Sequence, residues 1–292
     1  MKVLLTGGSG FIGSHVQEIL QKHGIVFFAP THRECDWLEA KQVTTYLEKN
    51  QPTHLLHLAW YAKHGLFWDS AENIKWKDAT LHLVREFGRC GGERVVAAGT
   101  CAEYMWGHQH VFNELAETTP QSLYGKMKLQ TFNDLEAICS LQKTTLAWGR
   151  VFFLYGPGEN QARIVPRVIL SLLKDQKISL THGHQVRDYL HVQDVARAFV
   201  SVLQSSLQGA VNISSGESRT LKEVFDLIGV TLGAQHRLGY GESPQLANDP
   251  PFLVGDCHRL KSTGWTDQIS LEEGLAESIA WWKKQLAQGV VG

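Results

Sequence analysis

The sequence predicts an α/β fold, doubly wound around a parallel sheet, with a smaller and partly discontinuous C-terminal lobe. Three observations carry this. Short apolar or β-branched runs alternate with amphipathic stretches of helical length through the first half. The connections are short, and no segment is Pro-rich, repetitive or of low complexity. A glycine-rich turn joins the first run to the first amphipathic stretch. Strand, helix, strand repeated in this way builds parallel βαβ units, which need a helix to cross back between strands.

Taken in order, strands are expected at residues 2–6, 25–29, 54–58, 94–98 and 144–148, where short apolar runs are bounded by polar or turn residues. Helices are expected between them at 12–23, 39–49, 71–87 and 123–139, from their amphipathic period. After Arg150 the alternation loosens. Tyr155-Gly156-Pro157-Gly158 signals a turn, and a helix is expected at 163–174. A helix at 192–204 leads into a strand-like run at 210–214 that returns to the sheet. From Ser215 the chain has Gly and Pro punctuation and closes with an amphipathic helix at 271–286. The pattern therefore divides the chain into a sheet body, residues 1–155 with 186–214 returning to them, and a smaller lobe, residues 156–185 and 215–292.

Composition narrows the partners. The chain has 292 residues, with 28 Lys and Arg against 29 Asp and Glu, for a net charge of -1. That balance excludes a broad electrostatic footprint for nucleic acid or an anionic membrane. No apolar run approaches the about 20 residues of a membrane span, and the first apolar stretch is too short for a secretory signal. Five Cys, odd in number and without CxxC spacing, fit free thiols in a reducing cytoplasm.

Thr6-Gly7-Gly8-Ser9-Gly10-Phe11-Ile12-Gly13 follows the first strand and opens the first helix. Gly7 permits a tight turn, Gly10 lets the backbone approach a pyrophosphate, and Gly13 allows close helix–strand packing. The helix N-terminus adds unpaired N–H groups and a positive dipole. This context points to a dinucleotide, with Phe11 and Ile12 in the binding turn. The spacing is Gly-x-x-Gly-x-x-Gly, and with it the sequence resembles the extended short-chain dehydrogenase/reductase family of nucleotide-sugar epimerases, dehydratases and keto-reductases. The resemblance implies a Rossmann-type body.

The second strand is followed by Ala29-Pro30-Thr31-His32-Arg33, with no carboxylate where one would bind the adenosine ribose of NAD. Arg33 offers a guanidinium for a 2′-phosphate, or an ordinary surface pair with Glu34. Arg33-Glu34-Cys35-Asp36 resembles the same region of NADPH-using reductases, which implies that Asp36 meets the adenine. NADP(H) is favoured and NAD(H) remains open.

Tyr124 and Lys128 stand four residues apart, on one face of a helix. An ammonium at about 4 Å would lower a phenol by about three pKa units and bring it towards the working range. Thr100 lies at the C-terminal end of the fourth strand, the end that faces the ligand crevice in open α/β sheets. Thr100, Tyr124 and Lys128 match the family's Ser/Thr–Tyr–Lys set, which implies that Thr100 bonds the reacting oxygen and Lys128 also holds the nicotinamide ribose. His57-Leu58-Ala59 matches the segment that lines the cofactor, with Leu58 and Ala59 in contact, and Trp60 replaces a small residue. Arg187-Asp188-Tyr189-Leu190-His191-Val192 matches a family motif whose Arg contacts the substrate diphosphate in several relatives. Arg187 has a second reading as a buried pair with Asp188 or Asp194.

The family's dehydratases carry Asp-Glu after the catalytic Thr, whereas this chain has Cys101-Ala102, neither able to move protons in that way. Glu103 either touches sugar hydroxyls or is an ordinary loop acid. The reading is therefore reduction of a keto group, at C4, on a nucleotide-linked deoxysugar, with Tyr124 as proton donor. NAD-dependent 4-epimerisation is the alternative, and a non-catalytic redox sensor is the alternative of another class. The aromatic stretch from Trp60 through Trp68 to Trp76 is a candidate substrate wall, while most other Trp, Trp106 among them, are read as packing residues. His108-x-His110 and His182-x-His184 lack the further ligands of a metal site, so no metal is expected. By resemblance the partners are a nucleotide-diphosphate sugar and a second copy of the chain in a homodimer.

Overall fold

The computed structural model describes residues 1–107, 110–245 and 249–290. The N-terminal half lays down β1 (Lys2–Thr6), α1 (Phe11–Lys22), β2 (Val26–Phe28), α2 (Ala40–Asn50), β3 (His54–His57), α3 (Glu72–Arg89) and β4 (Arg94–Thr100). A 3-10 turn at Cys101–Glu103, α4 (Leu123–Gln142) and β5 (Thr145–Val151) follow. Then come β6 (Phe153–Tyr155), α5 (Ile164–Leu173), β7 (Ile178–Leu180), β8 (Val186–Arg187), β9 (Tyr189–His191), α6 (Val192–Gln204) and β10 (Gly209–Ile213). The chain ends with β11 (Arg219–Thr220), α7 (Leu221–Leu232), β12 (Leu238–Tyr240), β13 (Phe252–Leu253), α8 (His258–Lys261) and α9 (Leu271–Ala287).

Six strands pair in the order β10-β5-β4-β3-β1-β2, every pair parallel. Alternate residues of a strand face opposite sides, and here both sides are covered. Val3, Leu5, Leu56 and Val96 pack with Val16, Leu20 and Phe199 on one face. Leu4, Leu55, Val95 and Ala97 pack with Leu47, Val84, Phe87 and Leu135 on the other. Near-continuous apolar strands are what a sheet sandwiched between helices requires. Strand β10 lies beside β5 at the edge of the sheet, as the run at 210–214 suggested.

Strand order reverses at β1, with β2 on one side and β3 on the other, so a crevice opens at the C-terminal strand ends. Strand β4 runs to Thr100, two residues beyond the predicted end, because Gly99 and Thr100 stay paired with Arg150 and Val151. A separate core of Val165, Ile169, Phe225, Ile228, Leu275 and Trp282 holds α5, α7 and α9 together beyond the sheet. Three short pairings lie outside the main sheet: β11-β8-β13 joins lobe to body, β7-β12 lies within the lobe and β6-β9 within the body. Among the described residues, no helix is long and apolar enough to cross a membrane.

Candidate active site

The glycine turn is built by close approach. Gly7 has φ +72°, and a Cβ there would lie 2.8 Å from the Ala59 nitrogen at the end of β3. A Cβ on Gly13 would lie 2.0 Å from the Gly7 carbonyl oxygen, so α1 packs directly on the turn. The Gly10 N–H donates to the Gly7 carbonyl at 3.0 Å. Gly10 caps α1 with extended backbone and no side-chain hydrogen bond, which leaves the first-turn N–H groups without a side-chain partner. Together these features fit a pyrophosphate laid on the helix start.

The turn borders a cleft of about 660 Å³ between body and lobe. Ile12, Leu58, Thr100, Tyr124 and Lys128 all line it, so the order read from the sequence converges in space. Trp60, Trp68 and Trp106 line it as well, with Phe67, which the sequence reading did not single out. Trp76 is not part of that wall and packs partly buried against the core beneath the sheet. From the lobe, Asn160, Arg163 and Asp249 complete the lining.

Ser122 caps α4 by accepting the Gly125 N–H at 3.1 Å, which fixes Tyr124 in the first turn. Thr100 acts to lower the pKa of the phenol, but burial is stronger and raises the Tyr124 pKa well above the usual phenol value. Glu103 adds to that rise and Arg163 opposes it. The assistance expected from Lys128 is therefore corrected. Its ammonium donates to the Ala98 carbonyl at 2.8 Å and lies 3.8 Å from the Trp60 ring centroid. Burial pulls the Lys128 pKa down to about 7, against the Glu103 charge. A phenol held protonated through the neutral range is suited to giving a proton.

Glu103 is corrected too. It is fully buried and absent from the cleft wall. One carboxylate oxygen accepts the Thr100 N–H and the Trp148 indole N–H, each at 2.9 Å. The other accepts from Arg150 at 2.8 Å. The capping-box pattern at Thr100 turns this acid inward, behind the C-terminal end of β4.

Arg187 is buried and does not line the cleft. Its guanidinium pairs with Asp249 at 2.5 Å and lies 5.2 Å from the Phe153 ring centroid. Neither Asp188 nor Asp194 is its partner. Asp188 accepts from Ser215 N–H and hydroxyl, Gly216 N–H and Gly255 N–H, stapling β8 and β9 to the lobe. Asp194 pairs with Arg197. The arginine that lines the cleft is Arg163, at the N-cap of α5, whose guanidinium pairs with Glu159 at 3.1 Å; its place after the Gly-Pro turn was the one available signal.

Beyond β2, Arg33 is exposed and has no ion pair among the described residues. The expected surface pair with Glu34 does not form, because the Glu34 carboxylate accepts the Thr31 N–H at 2.7 Å and hydroxyl at 2.8 Å. Asp36 accepts the Leu38 N–H at 3.0 Å. His182 and His184 have ring centroids 6.0 Å apart, while His108 lies outside the described residues.

A family model, that of the NAD dependent epimerase/dehydratase family, matches residues 3–214. The chain belongs to this family. Membership makes it an NAD(P)-dependent oxidoreductase or epimerase. The family chain is 27% identical over 305 residues to UDP-glucose 4-epimerase of Corynebacterium glutamicum, covering 92% of this chain and 91% of that one. In fold it is similar to UDP-glucose 4-epimerase of Thermotoga maritima solved with UDP-glucose, at TM-score 0.88 and 23% identity, covering 98% and 100% of the two chains. It is equally similar to RMD of Pseudomonas aeruginosa complexed with NADPH, at TM-score 0.87 and 20% identity, with the same coverage.

The tightness at Gly13 gives a direct test of the family's cofactor cradle in this chain. Gly13→Ala is expected to displace the turn, since its Cβ meets backbone at 2.0 Å. Cofactor affinity should fall about tenfold or more, or about 1.4 kcal/mol, in a fluorescence titration. Unchanged affinity would show that the turn does not carry the pyrophosphate.

Proposed function

We propose that the protein reduces a keto group, at C4 of a nucleotide diphosphate-linked deoxysugar, with NADPH as the hydride source and Tyr124 as the proton donor. The observation that carries this reading is the loop after β2. Both of its acids, Glu34 and Asp36, are engaged by the loop's own N–H groups, while Arg33, just before them, stays exposed. A free guanidinium beside satisfied carboxylates suits a 2′-phosphate better than a bare ribose.

When bound, the nicotinamide supplies a hydride to the carbonyl carbon. Tyr124 gives its phenolic proton to the carbonyl oxygen, and the Thr100 hydroxyl orients that oxygen. The uncapped start of α1 holds the pyrophosphate, and Arg163 offers positive charge to the diphosphate of the sugar donor. Cys101 and Ala102 face the cleft where a dehydratase would need an acid and a base, which argues against elimination of water.

NADPH and NADH titrations test the reading first, followed by loss of NADPH absorbance with a panel of 4-keto nucleotide sugars. NADPH is expected to bind more tightly, and Arg33→Ala should remove about 1.5–3 kcal/mol of that preference, the usual worth of a hydrogen bond to a charged group. Preference for NAD would overturn it. Likeness to a UDP-glucose 4-epimerase supports a second reading, 4-epimerisation with retained NAD. Interconversion of two UDP-sugars without net NADPH consumption would favour that alternative.

A further inference from the structure

The loop between β3 and α3 has no regular structure over most of its length, yet it brings aromatic rings onto both Tyr124 and Lys128. Irregular segments hold such positions only where side chains tie them down. The tie here is Asn73, in the first turn of α3 and fully buried. Its side-chain carbonyl accepts the Trp60 indole N–H at 2.8 Å. Its amide nitrogen donates to the Phe67 carbonyl at 2.6 Å and the Ser70 carbonyl at 2.9 Å. One acceptor and two donors on a single planar group are what an amide alone supplies: aspartate lacks the donors and leucine lacks both functions.

The tied groups lead straight to the site. The Trp60 ring covers the Lys128 ammonium at 3.8 Å. The Phe67 ring meets the Tyr124 ring edge-on, with centroids 4.9 Å apart. Next to Phe67, the Trp68 carbonyl accepts the Tyr124 N–H at 2.8 Å.

We propose that Asn73 is a positioning residue for Tyr124 and its neighbour Lys128, setting Trp60 over the Lys128 ammonium and Phe67 against the Tyr124 ring. The inference rests on the assignment of Tyr124 as proton donor under the proposed function, with Lys128 one helical turn away. It adds that the pair is held from outside its own helix, by one amide acting through two aromatic side chains. Loss of the amide frees the Trp60 indole, uncovers Lys128, and lets the Tyr124 ring depart from its working orientation.

Competitive acetylation of the full chain with acetic anhydride, read by peptide mass spectrometry, reports the exposure of Lys128. Lys126, exposed on the same helix, is the internal standard. This measurement needs neither substrate nor cofactor. Asn73→Leu is expected to raise the Lys128 to Lys126 labelling ratio severalfold. Trp60→Leu should raise the ratio as well, while leaving the grip of Asn73 on Phe67 and Ser70 in place, and it serves if Asn73→Leu does not fold. With a keto-sugar substrate, Asn73→Leu should lower kcat about tenfold to a hundredfold, the cost of small misplacement of reacting groups, with little change in KM. An unchanged labelling ratio in the folded variants overturns the proposal, as does a raised ratio with undiminished kcat. If the wild-type chain reduces no keto-sugar, the functional reading fails by itself. The labelling ratio then decides whether Asn73 holds Lys128.

Discussion

Replacing Tyr124 with Phe is expected to lower kcat for keto-sugar reduction by about a hundredfold to ten-thousandfold, the usual range for loss of a positioned general acid, while NADPH still binds. The ring remains to pack against Phe67 and Trp68, whose centroids lie 4.9 and 5.9 Å from its own. Only the O–H beside Thr100 is removed, so the loss falls on the chemical step and not on the cleft. The raised Tyr124 pKa adds a constraint on pH. Because the phenol stays protonated through the neutral range, ionisation of Tyr124 should not reduce the rate below about pH 10, its unperturbed value. Retained turnover in Tyr124→Phe would remove Tyr124 as the proton donor.

The largest stability effect is expected at Glu103. Glu103→Ala strips the acceptor from the Thr100 N–H, the Trp148 indole and the Arg150 guanidinium together. Burial works against the Arg150 cation, and Glu103 and Tyr104 together outweigh it, keeping the guanidinium pKa above its ordinary value. Breaking a buried pair from one side typically costs about 3–5 kcal/mol, because the remaining charge is left uncompensated. Urea denaturation of Glu103→Ala measures this, and a loss below about 1 kcal/mol, the scale of an exposed pair, contradicts the account. A Glu103→Ala/Arg150→Met double variant should recover much of the loss, since removing both charges removes the uncompensated one. The Thr100 N–H would still lack its partner, so keto-sugar turnover should stay low even where stability returns.

Some of this was legible from local sequence. The Gly7–Gly13 turn declares itself because φ above zero and backbone contact exclude every residue with a Cβ. The strands of the sheet declare themselves because burial on both faces demands unbroken apolar runs. Tyr124 and Lys128 are one helical turn apart, and Thr100 closes a strand, so their convergence follows from the winding of the chain.

Other roles depended on partners distant in the sequence. Glu103 reads as a loop acid until Arg150, 47 residues on, is seen beside it. Arg187 reads as a phosphate ligand until Asp249, 62 residues on, takes its guanidinium. Lys128 reads as the helper of Tyr124 until Trp60 and the Ala98 carbonyl are found around its ammonium. The sequence by itself determined the parallel sheet, the glycine turn and the order of Thr100, Tyr124 and Lys128, because these rest on local periodicity and on backbone sterics. Only the tertiary structure decided which charges face the cleft and which are buried behind it. A buried charge is settled by whichever opposite charge or dipole the fold brings within reach, and that pairing has no period along the chain.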